Sequence, residues 1–307
     1  MNILLINHYA GSPSHGMEYR PYYLAREWVR AGHRVLILAA SQSHVRTQQP
    51  QAGGQTIDGV AYCWYEAPAY TGNGLGRVRN IYSFCRQVWN DGQALAEAFK
   101  PDAVIASSTY PMDVWVARRI ARKSGAKLVY EVHDLWPLSP IELSGMSPRH
   151  PFALLCQKAE NDAYRDADVV VSMLPKVQQH MAAHGLDLRK LHIVPNGITL
   201  DEWDGQGEAL NPELAAHLAT QRAAGKLVLG YAGSHGLPNA LDVLLDAAKL
   251  LKNQPVAIVM VGGGHERERL AERVRAEGLT NVAMFAPIPK LQIPALLERF
   301  DIAYIGW

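Results

Sequence analysis

A glycine-containing loop near the N-terminus is the first segment whose residue types could bind a ligand. Gly11-Ser12-Pro13-Ser14-His15-Gly16 follows an apolar run at 3–7, and glycine lets backbone amides and a helix N-terminus approach phosphate. Met17-Glu18 stands where a nucleoside-triphosphate loop requires Lys and then Ser or Thr. The loop also lacks G-x-G-x-x-G, which argues against a dinucleotide-dependent oxidoreductase. Phosphate binding and a simple turn remain the two interpretations.

Two further glycine loops occur in the C-terminal third of the chain. One runs from Gly230 to Gly236 and contains Gly233, Ser234 and His235, and the other is Gly262-Gly263-Gly264. Each follows a strand-like apolar run and precedes a helical pattern. Open parallel sheets bind ligands at the carboxyl ends of their strands. Two such loops on successive strands therefore predict a phosphate site more strongly than one loop would.

A histidine beside an acid follows the apolar run at 127–132. His133 can donate or accept a proton near neutral pH, and the neighbouring Asp134 could fix its tautomer. The alternative is that His133 ends the strand and packs on Trp136. The residues alone leave both interpretations open.

The elements that must position these residues alternate along the chain. Short runs rich in Val, Ile and Leu alternate with segments of helical period, which is typical of doubly wound parallel sheets in an α/β protein. The predicted strands lie near 3–7, 34–39, 103–107, 127–132, 168–172, 191–194, 227–232, 256–261, 281–285 and 301–305. The predicted helices include 17–31, 77–98, 112–124, 150–166, 238–252 and 265–277. A further strand pair at 55–66 would turn at Asp58-Gly59.

The sequence Val194-Pro195-Asn196-Gly197 predicts a domain boundary, because Pro, Asn and Gly interrupt regular structure and a second strand–loop–helix series follows. We expect domains at 1–196 and 197–307. The second series has fewer strands than the roughly five or six of a typical doubly wound domain. We therefore expect the second domain to be incomplete, with Trp307 directly after a strand.

Composition excludes several classes of protein. The formal net charge of +1 argues against a nucleic-acid binder. The three cysteines are far apart and form no C-x-x-C pair, which indicates reduced thiols in a cytoplasmic protein and no disulfide framework or zinc site. His180, His184 and His192 show no spacing that suggests a metal site with other ligands. We therefore expect no metal and no cofactor.

The ordered motifs resemble family 4 glycosyltransferases over nearly the whole chain. They are His15-Gly16, Leu24-Ala25, Gly32-His33-Arg34-Val35, His133-Asp134, Val194-Pro195-Asn196-Gly197, the strand ending at Gly233, and Val261-Gly262-Gly263-Gly264. A second set resembles the branch that builds bacterial O-antigen or capsular polysaccharide, often with N-acetylated aminosugars. That set is Gly11-Ser12-Pro13, Met17-Glu18-Tyr19-Arg20 and Asp134-Leu135-Trp136-Pro137.

The resemblance implies the GT-B fold, with two Rossmann-like domains, and a retaining, metal-independent transfer from a UDP-sugar or, less often, a GDP-sugar. The donor would bind the C-terminal domain and the acceptor the N-terminal domain, with a cleft between them. The amide of Gly16 would meet the donor diphosphate, His133 would lie beside the donor sugar, and Gly233 would offer its backbone to the distal phosphate. The segment 285–289, which includes Ile288, would border the base. Preorganised amides and helix dipoles would stabilise the leaving diphosphate.

The sequence also departs from the family pattern. Ser234 and Asn239 stand where the family usually has an Arg and a Lys that clamp the diphosphate, so His235 or backbone amides would have to replace them. The family's pair of glutamates would fall beyond Trp307. We therefore expect weak donor binding and low activity from this chain.

Basic residues concentrate between Arg77 and Lys127, where nine Lys or Arg face four Asp or Glu. Two stripes on the predicted helix 112–124 consist of Arg118 with Arg122 and Arg119 with Lys123, and an earlier helix interleaves Arg77, Arg79 and Arg86 with Tyr82, Phe84 and Trp89. The pattern predicts peripheral contact with the anionic inner face of the cytoplasmic membrane, where a polyprenyl-diphosphate-linked saccharide acceptor would be presented. An ordinary solvated helix face with buried aromatic side chains is the alternative.

Three functions remain open at this point. The first is the glycosyltransferase, the second is a UDP-sugar epimerase of the same architecture, and the third is a non-catalytic acceptor-binding fragment. Glu160 and Asp162, on the predicted helix 150–166, are expected to be solvated, and contact with a ligand is the alternative.

Overall fold

The structure is a computed structural model that describes residues 1–72, 74–203 and 207–306. Trp307, on which the predicted early end of the second domain depends, lies outside the described residues. The chain divides into two compact units, Met1–Asn196 and Gly197–Trp307. They are called the N-terminal unit and the C-terminal unit below.

The described part of the N-terminal unit contains one eight-stranded sheet in the order β3-β4-β2-β1-β5-β6-β7-β8. All neighbouring strands are parallel except β3 and β4, which are antiparallel. The strands are β1 (Asn2–Ile6), β2 (Arg34–Ala40), β3 (Gly53–Ile57), β4 (Val60–Tyr65), β5 (Ala103–Ala106), β6 (Lys127–Val132), β7 (Val169–Ser172) and β8 (Leu191–Ile193). The helices of this unit are α1 (Arg20–Arg30), α2 (Leu75–Phe99), α3 (Asp113–Ser124), α4 (Leu138–Ser144), α5 (Pro151–Asp166) and α6 (Gln178–Ala183).

Both faces of this sheet are covered, as the continuous apolar runs predict. Successive side chains of a strand point to opposite faces. Accordingly, Leu4 and Ile6 belong to one buried apolar cluster, whereas Ile3 and Leu5 belong to another. The sheet therefore has helices on both sides, and only its strand ends and the loops after them remain for binding.

The predicted turn between β3 and β4 is confirmed. Asp58 and Gly59 have positive φ angles of 48° and 81°, the backbone that the tightest hairpin turns require at both central residues. Because Gly59 has no side chain, it adopts this conformation without strain.

The described part of the C-terminal unit contains a parallel four-stranded sheet in the order β11-β10-β9-β12. Its strands are β9 (Leu227–Ala232), β10 (Val256–Val261), β11 (Val282–Phe285) and β12 (Ile302–Ala303), and its helices are α7 (Pro212–Ala223), α8 (Leu241–Leu250), α9 (Arg267–Ala276) and α10 (Ile293–Leu297). The α/β class with doubly wound parallel sheets is thus confirmed. The short helices α4, α6 and α10 were not predicted, nor was α7.

Across the described parts of the chain, no helix combines the length and the apolar character needed to cross a membrane. The longest is α2, with 25 residues, and its sequence includes Arg77, Arg79 and Arg86.

Candidate functional site

The carboxyl ends of three neighbouring strands meet at one edge of the N-terminal sheet. Asn7, Ser107 and His133 directly follow β1, β5 and β6, which lie side by side. The side-chain amide of Asn7 donates to the carbonyl oxygen of Ser107 at 2.6 Å. The hydroxyl of Ser107 in turn donates to Oε2 of Glu131 at 2.7 Å. These contacts hold the strand ends in a fixed polar arrangement.

His133 lies between two carboxylates in this arrangement. Its Nε2 is 3.1 Å from Oε2 of Glu131, and its Nδ1 is 3.3 Å from Oε1 of Glu18. The His133 side chain is only 6% exposed. Both ring nitrogens therefore face acceptors, which is the arrangement of an imidazolium with two donors.

Arg20, the first residue of α1, contacts the same carboxylate from the other side. Its Nε and Nη2 atoms lie 3.1 and 3.0 Å from Oε1 of Glu131. It also donates to the carbonyl oxygen of Val194 at 2.9 Å and to Oδ1 of Asn196 at 3.0 Å. Arg20 thus joins the start of α1 to the segment that follows β8. We call Glu18, Arg20, Ser107, Glu131 and His133 the strand-end cluster.

The charges in the strand-end cluster stabilise one another. Burial alone would raise the pKa of Glu131, but the hydrogen bond and charge of His133 and the charge of Arg20 outweigh burial and hold it below its ordinary value. Burial alone would lower the pKa of His133, but Glu131 and Glu18 outweigh burial and raise it. The imidazole is therefore protonated near neutral pH.

The expectation that Asp134 fixes the tautomer of His133 is wrong. Its Oδ1 accepts from the amide of Leu135 at 2.9 Å and from the hydroxyl of Ser139, and its Oδ2 accepts from the indole of Trp136 at 3.2 Å. Asp134 therefore shapes its own loop, and Glu131 and Glu18 orient the histidine instead.

The amide of Gly16 does not point toward a ligand. It donates to the carbonyl oxygen of Ser12 at 2.9 Å, because the loop closes on itself as a tight turn. The φ of Gly16 is +101°, and a Cβ atom there would lie 2.9 Å from Oγ1 of Thr47. Glycine is thus required at this position for the backbone conformation, and the expected amide contact with a diphosphate is corrected.

The two glycine loops of the C-terminal unit pack directly on each other. A Cβ atom on Gly262 would lie 1.8 Å from the carbonyl oxygen of Gly233, and one on Gly264 would lie 2.5 Å from that of His235. The amide of Gly233 donates to Val261 at 3.0 Å, which extends the β9–β10 pairing by one residue. The expectation of a free amide at Gly233 is therefore wrong.

Other amides in these loops remain available. Within the described residues, no hydrogen bond is formed by the backbone N–H of Ser234, Gly263 or Gly264. The carbonyl oxygen of Ser234 accepts from the hydroxyl of Tyr231 at 2.6 Å and from the side-chain amide of Asn239 at 2.8 Å. Asn239, which replaces the family's usual Lys, thus fixes the loop.

His235 does not replace the missing cation. Its side chain is buried, and neither ring nitrogen has a hydrogen-bond partner among the residues described. Burial, and then the nearby charge of Arg267, lower its pKa, so the ring is neutral near pH 7. Arg267 itself begins α9 directly after the second glycine loop. It forms no ion pair with any side chain that the structure describes.

Ile288 lies in the C-terminal unit close to the same loops. A Cβ atom on Gly263 would lie 3.0 Å from Cγ of Pro287, so the segment 285–289 borders the glycine loop. Ile288 itself is partly buried against the apolar cluster that contains Val261 and Leu296. That this segment borders the nucleotide base stays a prediction.

The predicted basic stripes of α3 are only partly exposed. Arg118 pairs with Asp166, and the guanidinium of Arg119 lies 4.6 Å from the centre of the Trp89 ring. Arg122 and Lys123 are exposed, and Lys123 hydrogen-bonds to Gln93. A more continuous exposed face lies on α2, where residues three or four apart alternate apolar and basic character. They are Leu75, Val78, Arg79, Tyr82, Arg86 and Trp89, called the α2 face below.

The exposure of two regions on α2 and α5 differs from part of what the sequence predicts. Phe84 is fully buried and belongs to the core, as the interpretation with buried aromatic side chains expects. Glu160 and Asp162, expected to be solvated, are 1% and 6% exposed, because Glu160 accepts from the hydroxyl of Tyr164 at 2.9 Å and Asp162 from the indole of Trp115 at 2.9 Å.

Sequence reasoning missed two groups of residues. Glu131 could have been found, because an acid interrupts the otherwise apolar end of β6. Arg77 was predicted as part of the basic cluster, but its aromatic partners were missed: its guanidinium lies 5.4 Å from the ring centres of both Tyr9 and Trp136, and its Nε donates to the hydroxyl of Tyr9 at 3.1 Å. These residues come from distant parts of the chain.

Comparison with known proteins places the chain in a family. Residues 15–197 match the glycosyl transferase 4-like domain. WcaI of Escherichia coli (strain K12), assigned to colanic acid biosynthesis as a glycosyl transferase, is 23% identical over 285 residues, which cover 90% of this chain and 69% of that protein.

Solved structures show the same fold. The structure of HepE (Alr3699) of Anabaena in complex with UDP-glucose has a TM-score of 0.64 at 18% identity and covers 98% of this chain and 72% of its own. The structure of WaaG, a glycosyltransferase involved in lipopolysaccharide biosynthesis, has a TM-score of 0.64 at 15% identity, and the match covers 98% of this chain and 74% of WaaG. These likenesses confirm the predicted fold.

Proposed function

The chain belongs to the glycosyl transferase 4-like family, and from this premise we propose that it transfers a sugar from a nucleotide-sugar to a lipid-linked saccharide. The observation that carries the proposal is the family match over residues 15–197, a range that contains the whole strand-end cluster. The similarity to HepE, solved with UDP-glucose, supports a UDP-sugar as the donor. The similarity to WcaI and WaaG supports a role in bacterial surface polysaccharide biosynthesis.

We place the nucleotide diphosphate on the glycine loops of the C-terminal unit. The unpaired amides of Ser234, Gly263 and Gly264 would donate to its oxygens, and the start of α9 adds a favourable dipole. Arg267 supplies the positive charge that the family's usual clamp would give. Ile288 and its neighbours border the base. This arrangement stabilises the charge that develops on the leaving diphosphate without requiring a metal ion.

In the N-terminal unit, His133 is the residue that we propose to contact a sugar. Its ring is fixed by Glu131 and Glu18 and carries a positive charge. A preorganised charged donor of this kind can orient a sugar hydroxyl without reorganising during the reaction. We also propose that the transfer retains the anomeric configuration and favours an N-acetylated sugar. Both follow from the resemblance to the branch that builds O-antigen or capsular polysaccharide.

The acceptor reaches the N-terminal unit from a membrane surface. The exposed α2 face combines Tyr82 and Trp89 with Arg79 and Arg86, and a groove of about 440 Å³ lies among Arg79, Tyr82, Ser83, Arg86, Gln87 and Asn90. Aromatic and basic residues together favour contact with anionic lipid headgroups. A polyprenyl-diphosphate-linked saccharide would be presented there, at the cytoplasmic face.

A transfer assay tests this proposal. The protein is incubated with UDP-sugars and GDP-sugars, with and without a polyprenyl-diphosphate-linked saccharide, and both free nucleotide and glycosylated lipid are measured. We expect acceptor-dependent product, a rate about 100-fold lower in His133→Gln, and no change in His192→Gln, which alters an exposed histidine of the same unit. Release of nucleotide without any acceptor would indicate epimerase or hydrolase chemistry instead. Equal transfer rates in the two variants would show that His133 does not contribute to the reaction.

A further inference from the structure

A group of potential metal ligands lies between α5 and α6, apart from the residues used above. Glu160 is on α5, His180 is on α6, and His184 ends α6 four residues later. One ligand atom from each residue lies within 4.8 Å of the other two. Sequence spacing alone gave no sign of this, because Glu160 stands twenty residues before His180 and only the fold brings it there.

The contact between Glu160 and His180 is poorly suited to a hydrogen bond. Nε2 of His180 lies 3.5 Å from Oε1 of Glu160, which is longer than a good N–H···O contact. That nitrogen is buried and has no hydrogen-bond partner within the described ranges. Two ligands of one tetrahedral ion, each about 2.0–2.1 Å from it, are about 3.3 Å apart. The observed separation is close to that value.

The second histidine is held with its other nitrogen available. Nδ1 of His184 lies 2.9 Å from the carbonyl oxygen of His180, so Nδ1 carries the proton and donates it. The lone pair then resides on Nε2, the tautomer that metal-bound histidines adopt when their second nitrogen donates to a carbonyl. The two imidazole rings are 4.3 Å apart between centres, so both can reach one ion.

The carboxylate is oriented in the same manner. Oε1 of Glu160 accepts from the hydroxyl of Tyr164 at 2.9 Å, and Oε2 accepts from the side-chain amide of Gln157 at 2.7 Å. Each oxygen keeps further acceptor capacity. Hydrogen bonds of this type to ligating side chains are common around metal sites and hold the ligands in place.

We propose that Glu160, His180 and His184 bind one divalent transition-metal ion, of which zinc fits the donor set best. Two imidazoles and one carboxylate form a recognised three-ligand zinc set, with water in the fourth position. The ion joins α6 to α5. It shares no residue with the strand-end cluster, so this proposal stands whether or not the proposed function is correct.

Metal binding can be measured on the metal-free protein by titration with zinc in a calorimeter and with cobalt in visible absorption. We expect one ion per chain and the visible bands of four-coordinate cobalt. His184→Gln and Glu160→Gln should each weaken binding by about 100-fold or more, since even loss of a supporting hydrogen bond costs about 10–100-fold. The matched control is His192→Gln, which removes an exposed histidine of the same unit.

Thermal unfolding of the same four proteins adds a second readout. Zinc should raise the melting temperature of the wild type and of His192→Gln, and leave His184→Gln unchanged. If Glu160→Gln does not fold, because it loses a buried contact, the half-exposed His184 still gives the decisive variant. Equal zinc affinity in all variants, or no cobalt spectrum in the wild type, overturns the proposal.

Discussion

Glu131 and His133 form a buried pair in which Oε2 of the carboxylate lies 3.1 Å from Nε2 of the imidazole. They stand two residues apart at the end of β6, and residues with this spacing point to the same side of a strand. Arg20 contacts the second carboxylate oxygen of Glu131 at 3.0 Å. One buried acid therefore holds two cations, and the fold of the site depends on it.

Replacement of Glu131 by Gln should strongly destabilise the N-terminal unit. The change leaves Arg20 and His133 buried without their shared countercharge, and breaking a buried ion pair from one side costs about 3–5 kcal/mol. The free energy of unfolding, measured by urea denaturation, gives the result. Glu142→Gln, at an exposed position on α4, serves as the control. A loss below 1 kcal/mol, the range of an exposed pair, would contradict the proposed role of Glu131.

The contribution of His133 to stability should depend on pH. Burial alone would lower its pKa, but the hydrogen bonds and charges of Glu131 and Glu18 outweigh burial and raise the pKa in the folded protein. A raised pKa gives stability that is fully present below the unfolded value of about 6.5 and is lost as the pH rises through the folded value. The difference in unfolding free energy between wild type and His133→Gln should therefore shrink above about pH 6.5. A difference that grows with rising pH would show that the histidine is neutral in the folded state.

Gly262→Ala should disturb the paired glycine loops. Its φ is +154°, and the added Cβ would lie 1.8 Å from the carbonyl oxygen of Gly233. Overpacking of this kind costs about 1–3 kcal/mol. Urea denaturation compares it with Gly197→Ala, where the added atom meets nothing within 4 Å. Similar stabilities for the two variants would mean that the loops are not tightly packed.

The sequence predicts features set by neighbouring residues better than contacts between residues far apart along the chain. The apolar run of β1 and the Asp58-Gly59 turn are local patterns, and both were predicted correctly. The sequence predicted that His133 ends its strand, but the only partners that it suggested were the adjacent Asp134 and Trp136. The true partners, Glu131 and Glu18, depend on strand pleating and on the path of the chain before α1, which no local pattern encodes.

The amides of Gly16 and Gly233 show a second limit of prediction from the sequence. Glycine at a strand end signals that a backbone needs space or an unusual φ, but not the reason for it. At Gly16 the reason is a tight turn, and at Gly233 it is the side chain of Tyr231, whose hydroxyl oxygen would lie 2.8 Å from an added Cβ atom. Glycine content predicted where the loops lie, and the hydrogen bonds decide which of their amides are available.

The α2 face should bind anionic vesicles. The double variant Arg79→Gln/Arg86→Gln removes two exposed charges from it, each contributing about 1 kcal/mol near an anionic surface. Cosedimentation with phosphatidylglycerol vesicles should fall about 30-fold relative to wild type. The control Arg149→Gln/Arg275→Gln removes two exposed arginines elsewhere. Equal loss in both double variants would show a nonspecific charge effect, and unchanged binding would exclude the α2 face.

The most direct measurement of the central claim is a calorimetric titration of UDP into the wild type, Arg267→Gln and Arg275→Gln. Both arginines lie on α9, but only Arg267 begins the helix beside the glycine loops. We expect the wild type and Arg275→Gln to bind UDP equally and Arg267→Gln to bind about tenfold more weakly, a difference of about 1.4 kcal/mol. No binding of UDP to the wild type, or the same weakening in both variants, would contradict a nucleotide site at these loops.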